Sequence, residues 1–118
     1  MRILRLLLVG RTSKRHWAAK MANLSLHPLV QRDLLQILEH YTIEGGEKLA
    51  DKFFAEAERM IKRISLNPER YHFIDAQHRR ANFKTFPYHF IFEIKLAEPR
   101  ITILRHHKRS PRYGMRRK

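Results

Sequence analysis

The chain has no cysteine among its 118 residues. That excludes a disulfide scaffold, thiolate metal sites and a cysteine nucleophile, and it suits a reducing compartment. Acid is also scarce: 11 Asp and Glu stand against 25 Lys and Arg, a formal charge of +14 with a sequence pI near 11.0. Such a balance points to an acidic partner (nucleic acid, an acidic protein or an anionic surface) and carries no information about fold. Long apolar runs are missing as well. Nothing approaches the roughly 20 residues of a membrane-spanning helix. The run Leu6 to Val9, bounded by Arg5 and by Gly10-Arg11, falls short of the about 7–15 apolar residues of a secretory signal. Neither secretion nor a membrane partner is expected.

What is present divides unevenly. Residues 1–20 carry six cations (Arg2, Arg5, Arg11, Lys14, Arg15 and Lys20) and no acid. They read as a basic N-terminal extension, and translation starting at Met21 is the plainer account of them. The remaining 21–118 keep 19 cations against 11 acids, or +8, so the domain is basic without its extension. Its size suits one modest core.

From Met21 onward the pattern is that of an α+β domain. Asn23–His27 alternates like a short strand. Pro28 suits the first turn of a helix, where its missing N–H is no loss. Leu34, Ile37, Leu38 and Tyr41 then share one helical face as far as Tyr41. Gly45-Gly46 breaks the chain. A second amphipathic stretch, Glu47 to Leu66, aligns Leu49, Phe53, Ala57, Met60, Ile61 and Ile64 before Asn67-Pro68 ends it. Three strands are expected after that: His78–Phe86, Tyr88–Lys95 and Arg100–His106, with Pro87 and Ala97-Glu98-Pro99 as punctuation. The expected architecture is a two-helix hairpin packed on a small antiparallel sheet, in the order β-α-α-β-β-β.

Strand phase sorts the side chains. In His78–Phe86, Ala81 and Phe83 take the core face while Arg80, Asn82 and Lys84 take the open one. The phase of the last strand stays open, because both of its faces hold apolar residues. Cations on the open face, together with the run Arg105 to Tyr113, suit a groove for a phosphodiester backbone. RNA cleavage without metal needs a base for the ribose 2′-hydroxyl, cations for the phosphorane and an acid for the leaving oxygen. The candidates are His106 or His107 as base, Arg80 and Arg105 on the phosphate, and Tyr113 or Lys108 as acid. Lys84, Lys108, Arg109 and Arg112 are candidates for backbone or target binding. Adjacent histidines cannot both point one way from a strand, so one of the pair is expected outside the site. No carboxylate or cysteine lies near them at ligand spacing, so neither metal nor cofactor is expected.

Three segments resemble those of the RelE/ParE toxins of bacterial type II toxin–antitoxin systems: Asp33–Tyr41, Phe86–Ile94 and Ile103–Tyr113. They occur in order and at family-like spacing, and they span most of residues 21–118. Two positions depart from the pattern. Gly114 stands where many members have Trp, and Ser110 replaces the acid before Pro111. The resemblance implies a helical hairpin on an antiparallel sheet, a cytoplasmic bacterial location and a cognate acidic antitoxin, of plasmid-stabilisation type. The implied target is first mRNA on the ribosome, cut by a metal-independent endoribonuclease, with inhibition of DNA gyrase without nuclease activity as the alternative. A decayed toxin that only binds its antitoxin is a third alternative.

Overall fold

The computed structural model describes residues 24–118. Residues 1–23, which include the N-terminal extension, the expected start at Met21 and Asn23 of the first expected strand, lie outside the described residues. Strand β1 (Ser25–Leu26) leads into helix α1 (Pro28–Leu66), a 3-10 turn at Pro68–Arg70, and strands β2 (Arg79–Asn82), β3 (Tyr88–Lys95) and β4 (Glu98–His106). The sheet order is β1-β4-β3-β2. No helix among the described residues is long and apolar enough to cross a membrane.

The helix starts where its chemistry allows. His27 Nδ1 accepts the Leu29 N–H, capping a free donor of the first turn, and Pro28 occupies the first helical position. One helical element of 39 residues replaces the two expected, because only Gly46 (φ 84°, ψ 178°) leaves helical backbone within it. That one residue nevertheless folds the element back. Tyr41 and Phe53 would sit about 18 Å apart along an uninterrupted helix, yet their ring centroids are 5.5 Å apart. A positive φ is inexpensive at glycine and strained elsewhere.

The two arms lay one apolar stripe on the sheet. Leu34, Leu38, Phe53, Ala57, Ile61 and Ile64 are buried with Phe90, Phe92, Ile101 and Leu104 in a single core. Each fully buried Leu, Ile or Phe side chain contributes roughly 1.5–3 kcal/mol of transfer free energy. Ala81 and Phe83 join this core, as the strand phase requires, and Phe83 stacks on Phe53 with centroids 5.2 Å apart.

The sheet differs from the expected one in four ways. It is mixed: β2–β3 and β3–β4 are antiparallel, but β1 lies parallel to β4, since the whole helix and two strands separate them in the chain. Strand β2 stops at Asn82 instead of Phe86. The backbone N–H groups of Lys84 and Thr85 donate to the buried Glu56 carboxylate rather than to a neighbouring strand. The turn between β3 and β4 comes earlier than expected, at Leu96 and Ala97, both with positive φ, so Pro99 lies inside β4. Finally, β4 carries a bulge. Ile91 faces Ile103 while Phe92 faces Ile101, which leaves Thr102 as the extra residue. The bulge shifts the side-chain phase by one. Ile101 and Leu104 both reach the core, and Ile103 and Arg105 both take the open face. This is why alternation alone does not assign that strand.

Candidate functional site

On the open face, β2, β3 and β4 bring side chains of facing residues together. Arg80 opposes Ile91, and His89 opposes both Asn82 and Arg105. His107 follows β4 directly, held by its backbone N–H donating to the Pro87 carbonyl at 2.9 Å. The result is a connected row. Arg105 Nε donates to His89 Nε2 at 2.9 Å, His89 Nδ1 lies 2.9 Å from His107 Nδ1, and Arg80 Nη2 lies 3.1 Å from the same His107 nitrogen. Arg80 Nε also donates to Asn82 Oδ1 at 2.7 Å. The His89 and His107 rings are nearly parallel, 12° apart with centroids at 5.1 Å. His89 and Arg105 are buried, and His107 is exposed.

Among the described residues no carboxylate pairs with Arg80 or Arg105. The uncompensated charge acts on the imidazoles. Burial, then the charges of Arg80 and Arg105, holds the His89 pKa down at about 3, so the ring is neutral at pH 7. His107 is lowered by burial, Arg80 and His106. Arg105 is lowered by burial and Arg80 but keeps its proton, as guanidinium groups do in proteins.

Thus Arg80, Arg105 and His107, all candidates from sequence, lie together, and His89 completes them. Sequence reasoning missed His89, although it shares a strand face with Ile91 and Glu93 and its phase places it beside the open-face cations. The other candidates do not join the row, although His106, Arg109 and Tyr113 line one cavity together with Arg105. His106 points to the opposite side, its ring edge-on to Tyr88 at 5.0 Å and its Nδ1 accepting the Lys108 N–H at 2.9 Å. Tyr113 is held away from the row: its hydroxyl donates to Asp33 Oδ1 at 2.7 Å and accepts from Arg117 at 3.2 Å. Arg109 lies over the Tyr113 ring, 4.1 Å from its centroid. Lys108 and Arg112 are exposed in the turns that follow β4, and the Lys84 side chain is exposed beyond the end of β2.

A second feature flanks the row. A cavity of about 180 Å³ is lined by the candidates Arg105, His106, Arg109 and Tyr113 together with Asp33 and Tyr88, among others. Two of its lining residues, Asp33 and Tyr113, belong to a latch. The buried Asp33 carboxylate accepts the Leu104 N–H at 3.2 Å, the Tyr113 hydroxyl, and Arg117 Nη1 at 2.6 Å. Arg117 also donates to the Thr102 carbonyl at 3.0 Å. Residues after β4 are thereby tied along the edge of β4 that the short β1 leaves open. Gly114 makes this possible. Its φ is +77°, and a Cβ there would come within 2.8 Å of Ile103 Cγ1. A large side chain at this position, as in the Trp of the resembling toxins, has no room.

The arrangement supplies donors and few acceptors. Arg105 has no lone pair to offer, so His89 Nε2 must be the acceptor in that bond. His107 Nδ1 faces Arg80, which likewise can only donate. His106 Nδ1 is taken by a backbone N–H. No candidate imidazole keeps a free basic nitrogen, and the Tyr113 phenol is engaged. Among the described residues, no group of three or more His, Asp or Glu is placed to hold a metal ion.

No family model matches the chain, and no curated protein matches it. Among solved structures it is similar to a chain of the structure described as "Chromosomal ParDE TA system from P. aeruginosa". The two share a fold. The TM-score is 0.66 at 19% identity, covering 74% of this chain and 97% of that one.

Proposed function

We propose that the chain is the toxin of a type II toxin–antitoxin pair, and that it arrests growth by docking its basic open face on its target rather than by cutting RNA. The toxin reading rests on the fold shared with a chain of a ParDE system, on the ordered sequence resemblance and on the excess of cations. In this reading the toxin domain is residues 21–118, acting in the bacterial cytoplasm with an acidic antitoxin as partner. The preference for docking rests on a single observation. His107, the only candidate base in the row, has its Nδ1 lone pair directed at Arg80 and at His89. Cleavage of the 2′-hydroxyl type needs that lone pair free. Inhibition of DNA gyrase is therefore put ahead of ribosome-dependent mRNA cleavage. The second reading keeps one specific support: Arg80, Arg105 and His107 lie together, and a bound phosphate that drew Arg80 away would free part of the base.

The test is expression of the full chain without an antitoxin, with mRNA ends mapped by primer extension and gyrase supercoiling assayed on the purified protein. Blocked supercoiling with intact mRNA is expected. Codon-phased breaks with normal supercoiling would replace docking by cleavage. Absence of growth arrest, with neither effect, would overturn the toxin reading.

A further inference from the structure

We infer that His89 is a positioning residue that fixes the tautomer of His107, so that the row presents the His107 Nε2–H beside Arg80 as a paired donor site for an anionic oxygen. The argument is one of proton placement. Arg105 Nε carries a hydrogen and donates to His89 Nε2 at 2.9 Å. That nitrogen is unprotonated, so the single proton of a neutral His89 sits on Nδ1. His89 Nδ1 lies 2.9 Å from His107 Nδ1 and donates to it. Arg80 Nη2, 3.1 Å away, donates to the same atom. With Nδ1 accepting two hydrogen bonds, a neutral His107 carries its proton on Nε2. That nitrogen makes no hydrogen bond among the described residues, on an exposed ring.

The row is thus a relay of fixed polarity running from the buried Arg105 outward. Arg105 is itself held in place, since its Nη1 donates to the Pro111 and Tyr113 carbonyls at 2.8 and 3.1 Å. The polarity is thereby anchored to the folded turns beyond β4. The outer end offers N–H groups and positive charge and nothing that accepts a proton, which is the donor pattern of an oxyanion receptor. A phosphate and a carboxylate share that oxygen chemistry. The inference rests on reading the row as an anion-binding face and is independent of which cellular target is engaged.

The test is ¹⁵N NMR of the histidine rings in the full chain at pH 7, where the two tautomers have separate signatures. In the unmodified chain, His89 is expected as the Nδ1–H form and His107 as the Nε2–H form. His89 protonated on Nε2 would overturn the proposal. The Arg80→Ala chain removes the second donor, and His107 is expected to keep the Nε2–H form through His89 alone. Arg80→Ala/His89→Met should turn it into a mixture. Arg80→Ala/His89→Gln should restore it, because an amide can accept from Arg105 while donating to His107. A mixture already in Arg80→Ala, or a single Nε2–H form in Arg80→Ala/His89→Met, would show that His89 does not set the tautomer.

Inorganic phosphate and acetate are then titrated separately into the unmodified chain. Either anion should shift the His107 Nε2 resonance, and their relative affinities tell phosphate from carboxylate as the natural source. No shift with either would overturn the receptor role. A shift in Arg80→Ala/His89→Met as large as that in Arg80→Ala would overturn the part assigned to His89.

Discussion

The open-face row and the Asp33 latch lie on either side of the end of β4, and each joins an arginine to rings. The difference that matters is a carboxylate. The latch has a buried carboxylate, which takes the Tyr113 hydroxyl, a backbone N–H and Arg117 together. The row has two arginines, two imidazoles and no acid. In the latch, charge is matched inside the molecule and serves to hold the chain end. In the row no carboxylate among the described residues matches it. Burial lowers the pKa of arginine in both places, but at Arg117 the hydrogen bond and charge of Asp33 outweigh it, whereas at Arg105 nothing does. Chemical similarity between two clusters therefore does not give both the same charge balance. The presence or absence of the compensating charge separates them.

The comparison breaks most sharply at its acid. Asp33→Ala leaves the partly buried Arg117 and the Leu104 N–H without their acceptor, and removal of one member of a fully buried pair, the upper limit here, costs about 3–5 kcal/mol. A large fall in the urea midpoint is expected, and a change below about 0.5 kcal/mol would show that the latch is not structural. Next is the pH dependence set by the row. His89 has a folded pKa of about 3 against 6.5 when unfolded. The unfolded chain thus binds the extra proton first as pH falls. Stability from this group is complete above about pH 6.5 and is lost progressively down to about pH 3. His89→Gln should flatten the stability profile across that window, and an unchanged slope would count against a neutral buried His89. Gly114→Ala combines a positive φ with a Cβ 2.8 Å from Ile103 Cγ1. A loss of about 1–3 kcal/mol in thermal or urea unfolding is expected.

Two smaller effects sharpen the contrast. Tyr113→Phe removes a hydroxyl from the latch, for a loss of about 1 kcal/mol, and should leave growth arrest intact. Abolished arrest in a stable Tyr113→Phe chain would return the phenol to the functional site. Arg80→Ala should change stability by less than about 0.5 kcal/mol while abolishing the effect on the target, because its charge has no acid to lose. Arrest at normal strength in that variant would move the functional surface elsewhere.

Much of the fold was legible. The helical stripes, Pro28 at the helix start, a break at Gly45-Gly46 and the face of Ala81 and Phe83 all follow from local periodicity and backbone preference. Those signals come from residues a few positions apart. The candidate site was legible in its residue types, and Arg80, Arg105 and His107 do meet. The split of the adjacent histidines to opposite sides was also readable from strand geometry. What was not readable depended on distant partners. Glu56 ends β2 from 28 residues away in sequence. Asp33 withdraws Tyr113 from the site across 80 residues. The bulge at Thr102, which sets the face of Arg105, exists only in the register between two strands.

The sequence by itself determined a basic α+β domain, a core laid on one side of the sheet and a chain end rich in cations and imidazoles. Hydrophobic periodicity and net charge are properties of the chain alone. Only the tertiary structure decided which of those cations are spoken for. A carboxylate neutralises what it touches, and contact between residues 33 and 117 is made by folding rather than by adjacency. The same folding places His89 between an arginine and a second histidine, and so determines on which nitrogen each proton rests.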